Sequence, residues 1–292
     1  LEAQAIAPGT SGLAGVASLD QLAQLYRQRQ MAIALAASRA VAAIWQHRID
    51  PAHMADSWAS IRDVVLNLVR QYFQASAADS ASTYEQMRVQ ADLGHRPIRM
   101  AELPQRELER VVDSQGIGRF FQTLPTVPDD LSQAAATAEE SLQASSARLS
   151  LKGGRQTMTQ AVHSDPKAEG WERTISSTAC SFCSMLASRG AVYRNEKSAD
   201  FRAHDHCNCT AIPVFDGQDP SQQSQDLAKQ WQQVTRGKSG ANARKAWQDH
   251  WERQSNGGRD GGAAGQAEGQ GAGDEQRPGR PQLSNQGTNG TG

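Results

Sequence analysis

Cys180 to Phe215, "CSFCSMLASRGAVYRNEKSADFRAHDHCNCTAIPVF", holds all 4 cysteines and two of the 7 histidines of a 292-residue chain. Every thiol is crowded into this one stretch, and four chemistries compete to explain it. They are a metal clamp, a pair of disulfides, a nucleophile with its base, and free or redox-labile thiols packed as core. Cys180 and Cys183 form C-x-x-C, a spacing that turns two sulfurs toward one point on a knuckle. Residues two apart in an extended segment face the same side, so Cys207 and Cys209 can aim together. His204 and His206 can do the same toward the opposite face.

A tetrahedral ion needs four of these six candidates: Cys180, Cys183 and Cys207, with either a histidine or Cys209. The loop of about twenty residues between the half-sites is in the range of zinc ribbons. Disulfides rarely persist in a reducing cytosol, and pairing within C-x-C is strained. A thiol nucleophile would take His204 or His206 as its base, steered by Asp205. Neighbouring strand residues point to opposite faces, however, so "HDH" is a poor self-contained relay. The chemistry favours zinc in a structural role, because four protein ligands leave no position open for water.

Outward from the cluster, "WERTISSTAC" and "CTAIPVF" lean toward β-strand. Phe182, Met185, Leu186, Val192, Tyr193, Phe201, Ile212, Val214 and Phe215 offer a miniature core, with Trp171 sealing it. Downstream, Leu227, Trp231 and Val234 mark one helix. Trp247 and Trp251 mark another, after the turn "RGKSG". From Asn256 onward, with about half of the chain's 25 glycines and almost no large apolar residue, the sequence reads as a flexible tail.

The first half reads as long helices. Ser18 and Gln21 form a capping box. Leu22, Tyr26, Ile33, Ala37, Val41 and Ile44 trace one face, with a break at Gln30. Pro51 interrupts this pattern. A second helix then carries Trp58, Ile61, Val65, Leu68 and Tyr72 and runs to about Asp92. "PQRELERVV" is a short helix ended by the glycines of "SQGIG". A third long helix after "LPTVPDD" has Leu131, Ala135, Ala138, Leu142 and Leu149 as its seam, with Ser145 inside the stripe. "KGGRQT" is expected to break it at Gly153 and Gly154. These elements make an α+β protein: a flexible N-terminus at 1–17, a helical docking region at 18–152, a Cys/His-rich domain with C-terminal helices at 153–254, and a disordered Gly/Gln-rich tail at 255–292.

The net charge of −1 comes from scattered lysines, arginines and acids. No basic stripe is present, which argues against a phosphate-tracking, sequence-specific nucleic-acid binder. The chain has no apolar run of membrane-spanning length and no secretion signal, so it reads as soluble and unsecreted. Leu1 in place of Met points to a trimmed fragment or an unusual start codon.

The stretch from Gly153 to Phe215, with weaker helical agreement from Ser18 onward, resembles the C-terminal domain of phage Mu protein F-like minor head proteins. The likeness is closest to the versions in tailed phages of actinobacteria. The family pattern is C-x-x-C, a short aliphatic segment, an aromatic residue, and histidine just ahead of a cysteine pair. It maps here onto Cys180, Cys183, Met185 and Leu186, Phe201, His204 or His206, Cys207 and Cys209. "HDHCNC" departs from the histidine–proline step of many relatives, which leaves the histidine unassigned. The resemblance implies a minor protein of the phage head, placed in the virion after assembly in the host cytoplasm. Its partners would be the portal protein, the major capsid protein or the scaffold protein. Some relatives carry the label capsid maturation protease. The residues support that activity poorly, because there is no G-x-S-x-G elbow. Ser184 and Ser188 read as solvated or capping residues, and His163 as a helix-closing charge.

Overall fold

The computed structural model describes residues 18–192, Phe201 and residues 207–260, with side chains described as far as Ser255. The flexible segment expected at 1–17 and the part of the tail expected at 255–292 that follows Asp260 lie outside the described residues, as do Tyr193, His204, Asp205 and His206.

Ser18 caps helix α1 (Leu19–Arg48) through the capping box read from the sequence: Gln21 N–H donates to Ser18 Oγ, and the Gln21 side chain returns the bond to the Ser18 N–H. A short 3₁₀ turn (Pro51–His53), capped by Asp50, reverses the chain into α2 (Met54–Gln90). Trp45 packs on Trp58 at a 6.0 Å centroid distance near this turn. Further along, Gln30 meets Ser76 and Tyr26 meets Ser80, so the two helices run antiparallel. Helices α3 (Gln105–Gln115) and α4 (Ile117–Thr123) follow, meeting at Gly116. Helix α5 (Leu131–Ser164) then lies against both α1 and α2. Val41, Trp45, Trp58, Ile61, Val65, Leu66, Val69, Ala138, Leu142 and Leu149 are among its core residues.

The helical seams shift from the periodicity reading, and on α1 the buried line takes in Ala23, Ala34 and Trp45 in place of Leu22, Ile33 and Ile44. On α2, the buried line runs through Leu66, Val69 and Phe73 in place of Leu68 and Tyr72. Leu131 is exposed at the start of α5. The Gln30 "break" in α1 is a true seam position: Gln30 is fully buried, and its amide bonds to Ser76 and Asp79. A polar residue interrupts an apolar stripe without leaving the core when every one of its hydrogen-bonding groups is met inside it.

The largest correction falls at Gly153 and Gly154, which do not end α5. A β-carbon on Gly153 would collide with the Phe73 carbonyl oxygen of α2. One on Gly154 would stand 2.6 Å from Ser80 Oγ and 2.7 Å from Ser76 Oγ. Glycine serves here for close helix approach, and the lost helix propensity, about 1 kcal/mol per glycine, is offset by contacts made on both sides. The boundary expected between 152 and 153 therefore falls inside a continuous helix. The described residues up to Ser255 pack as one compact unit.

After α5, strands β1 (Ala168–Thr174) and β2 (Thr210–Phe215) pair antiparallel, with Trp171 opposite Pro213 and Thr174 opposite Thr210. Helix α6 (Ser181–Ala187) lies between them in sequence, while α7 (Gln222–Val234) and α8 (Gly240–Asp260) follow. Helix α8 continues past residue 255, because adding a residue to an existing helix gains a bond at little cost. Every residue of β2 is buried. One cause is the core formed by Tyr26, Tyr84, Met87 and Met158, which packs on Trp171, Ala211, Ile212 and Phe215. Phe182 and Val192, expected in a miniature core, are exposed at 45% and 54%. Met185, Ile212, Val214 and Phe215 are buried as expected, and the sheet shares part of its core with the helical arm.

The corner between α5 and β1 is fixed by a buried carboxylate. Asp165 accepts from Arg88 Nε (2.7 Å), the Tyr84 hydroxyl (3.0 Å) and the Lys167 N–H (3.0 Å). Burial raises its pKa, but these donors outweigh that effect and hold the carboxyl below its ordinary value.

Replacing Gly153 by alanine is expected to destabilise the chain by about 1–3 kcal/mol, despite better helix propensity. Urea unfolding measures the change. Asp165→Asn is expected to cost about 3–5 kcal/mol at neutral pH. A depressed carboxyl stabilises the fold above its unfolded pKa of about 3.9 and loses that contribution as pH falls through the folded value. The variant's unfolding free energy should accordingly fall less steeply in acid than that of the native chain.

Candidate metal centre

The β1–β2 register places Thr174 beside Thr210, their hydroxyls 2.6 Å apart. At this one end of the ladder, the chain leaves β1 toward α6 and enters β2 from Cys207–Cys209. Cys180 is the N-cap of α6, and its sulfur accepts from the Cys183 N–H at 3.4 Å. Cys183 then faces inward from the first turn. Its sulfur stands 3.6 Å from that of Cys207, and the sulfurs of Cys183, Cys207 and Cys209 all lie within 4.8 Å of one another. All three are buried.

The shared face expected of Cys207 and Cys209 is thus present. Cys180 stands outside the trio and is half-buried. His204 and His206 lie outside the described residues.

The donor set fits a thiophilic ion. Two thiolates on tetrahedral zinc, each at about 2.3 Å, stand roughly 3.8 Å apart, close to the Cys183–Cys207 separation of 3.6 Å. Without a cation, three clustered thiols cannot all ionise, since each thiolate repels the next. Hydrogen bonds from Cys183 and Cys209, joined by the nearby Arg155 charge, hold the Cys207 thiol well below the ordinary thiol range against the effect of burial. Hydrogen bonding to Cys207, then to Cys209, drives Cys183 upward, and burial adds to it. Cys209 is drawn down by its Cys183 hydrogen bond, but the Cys207 contact and burial prevail and push it up to about 12. A bound divalent ion replaces this sharing of one charge by ionisation of the whole set.

Side chains that the cysteine spacing does not announce complete the surroundings. Arg155, on α5, is 3% exposed and donates to the carbonyls of Cys209 (Nε, 3.0 Å) and Cys207. Arg173, on β1, places a guanidinium nitrogen 3.8 Å from the Cys183 sulfur. Phe201 lies under that guanidinium, 3.8 Å from its central carbon, and stacks on Trp171. Trp247 covers α6: its indole N–H donates to Ser184 Oγ at 3.0 Å, and its ring stacks on Trp251. Helix α7 is tied to the same end by reciprocal bonds between the Gln223 side chain and the Ile175 backbone. A sequence signal existed for the tryptophans of α8, while Arg155 carries none.

Ser184 and Ser188, read as solvated or capping, are buried, and Ser188 is the C-cap residue of α6. Ser184 donates to Ser181 O and Ser188 to Met185 O. His163 closes α5 in an exposed position, as expected. The exposed His53–Asp50 pair (2.8 Å) caps the turn before α2. The nearby Ser57 hydroxyl bonds to backbone carbonyls of that turn. No described serine is hydrogen-bonded to a described histidine ring.

A family model described as VG15 protein matches residues 18–234, from the capping serine of α1 to the last residue of α7. No curated protein and no solved structure matches the chain. No helix among the described residues is long and apolar enough to cross a membrane.

Reduced protein titrated with a thiophilic divalent cation is expected to take up one ion per chain. Cys183→Ser, Cys207→Ser and Cys209→Ser should each abolish stoichiometric uptake, read by equilibrium dialysis with elemental analysis. Cys180→Ser, which keeps a capping hydroxyl on α6, should cost less. The reverse ranking would contradict the sulfur geometry.

Proposed function

This chain belongs to the VG15 protein family, a family of phage proteins, and on that premise we propose that it is a minor head protein of a tailed bacteriophage. Its place is the portal or the inner capsid, and its role lies in head assembly or morphogenesis. The observation that carries this reading is the family match over residues 18–234, which spans the helical arm and the cysteine centre together. The likeness of residues 153–215 to Mu F-like head proteins supports the finer assignment.

Two parts of the chain divide the work. Helices α1, α2 and α5 have 30, 37 and 34 residues, lengths that correspond to rods of roughly 45–55 Å. Such rods offer a long side to a portal, major capsid or scaffold protein. The cysteine centre holds a structural zinc ion through Cys183, Cys207 and Cys209. The fourth ligand comes from Cys180, His204 or His206. When bound, zinc supplies a cross-link between α6 and the segment entering β2, within the small core around Ile175, Met185, Leu227 and Trp247. The residues do the rest: Cys180 caps α6, Arg155 grips the ligand carbonyls, and Trp247 shuts out water.

In purified particles of the encoding phage, the chain should be present in a few copies per head and remain with the portal when capsids are dissociated. Particles carrying Cys207→Ser should assemble poorly while the major capsid protein is still processed. Recovery of the chain only outside particles would sink the head-protein reading. An unprocessed major capsid protein in a cysteine variant that stays folded would move the reading to a maturation protease.

A further inference from the structure

We propose that Arg155 is the positioning residue of the metal centre: it fixes the C-x-C backbone so that Cys207 and Cys209 present both sulfurs to one ion, and its charge offsets the bound thiolates. This inference rests on the metal reading above.

The geometry is specific. The Arg155 guanidinium donates to the carbonyl of Cys209 at 3.0 Å and to that of Cys207. Carbonyls two residues apart in an extended segment point the same way, as the side chains of those residues also do. A rigid planar fork that grips both carbonyls therefore also fixes the face on which both thiols stand. Lysine cannot reproduce this, because its ammonium is a point charge on a flexible stem. The fork is itself held in place: the guanidinium carbon lies 4.8 Å from the Phe201 ring centre, and the residue is 3% exposed.

Charge gives the second argument. Three thiolates around a divalent ion leave an excess of one negative charge in a buried site, and an uncompensated buried charge is costly. Arg155 brings a permanent positive charge to the backbone of two of the three sulfur donors. Arg155 is itself buried, and a buried guanidinium needs nearby anions to offset its lost hydration. The cation and the thiolates thus stabilise one another.

The inference also explains why α5 runs unbroken through Gly153 and Gly154. The two glycines set the helix against α2 and α1. The next residue along is the one that reaches the C-x-C segment.

The test uses the full chain and zinc alone. Zinc affinity is measured by competition with a chromophoric chelator for the native chain, Arg155→Lys and Arg155→Gln. Cobalt(II) spectra of all three report the thiolate ligands, and melting is followed with and without metal. Both variants should bind zinc about 10–100-fold more weakly, with weaker or displaced thiolate-to-cobalt absorption. The rise in melting temperature on adding zinc should shrink. Arg155→Lys keeps a buried cation of similar length, which protects the comparison from simple unfolding. Unchanged zinc affinity and cobalt spectra, even with a lower melting temperature, would make Arg155 a packing residue and overturn the proposal while the metal reading stands. A native chain that binds neither zinc nor cobalt would remove both.

Discussion

The contact on which the rest of the structure depends is the bare backbone crossing of α5 against α1 and α2 at Gly153 and Gly154. At this point a Phe73 carbonyl and the side chains of Ser76, Ser80 and Gln30 occupy the space that β-carbons would need. The Gly154 N–H donates to Ser76 Oγ at 2.9 Å, and Ser76 in turn bonds to Gln30. A three-helix crossing with a satisfied polar centre is a register lock, since sliding any helix by one turn would leave buried donors unmet. Tyr26, whose hydroxyl meets Ser80 at 2.5 Å, extends the lock one turn further.

Below that crossing, the register of α5 decides what the sheet can do. Met158 and Val162 follow the glycines on the same helix and join the core that covers Trp171 and Phe215. Asp165 ends the helix on Arg88 and Tyr84 of α2. A two-stranded ribbon is marginal on its own. This one is stable because one core is lent to it by α1, α2 and α5, while a second, around Cys183, Leu227 and Trp247, covers its far end.

Much of this was legible from residue spacing. The capping box at Ser18, the Pro51 reversal, the two strands and the helical tryptophans of α8 all stand where local chemistry places them. What failed did so for tertiary reasons. A double glycine signals a helix end when only the local backbone is weighed, yet here contact with Phe73 and Ser76 outweighs propensity. Gln30 reads as a fault in a stripe until its partners 46 and 49 residues away are known. Phe182 looks like core, but the first turn of α6 turns it outward and Cys183 inward. At the cluster, alternation in an extended segment predicted that Cys207 and Cys209 would face together. In the C-x-x-C half, Cys183 joins the buried trio while Cys180 caps the helix that Cys183 belongs to. Arg155 carried no motif, since its role arises only from where α5 passes the C-x-C backbone.

Why this region should use sulfur in place of another apolar cluster follows from the charges already buried beside it. Arg155 and Arg173 are almost fully enclosed, and Glu172, between Arg173 and Trp171 on β1, is fully enclosed with its carboxylate on the Ser221 N–H. Burial pushes the Glu172 carboxyl up, and the α7 cap partly restores it. Apolar side chains in place of Cys183, Cys207 and Cys209 would remove the soft acceptor 3.8 Å from the Arg173 guanidinium and the sulfurs near Arg155. Thiols give a soft acceptor in the free state and, with a divalent ion, a compact anionic centre that matches the cations. Sulfur also packs nearly as well as a small hydrocarbon, so the same three residues serve as core around Ile175 and Leu227. The cluster is thus both the apolar filling of this end of the fold and its charge partner, a combination that neither valine nor aspartate could supply.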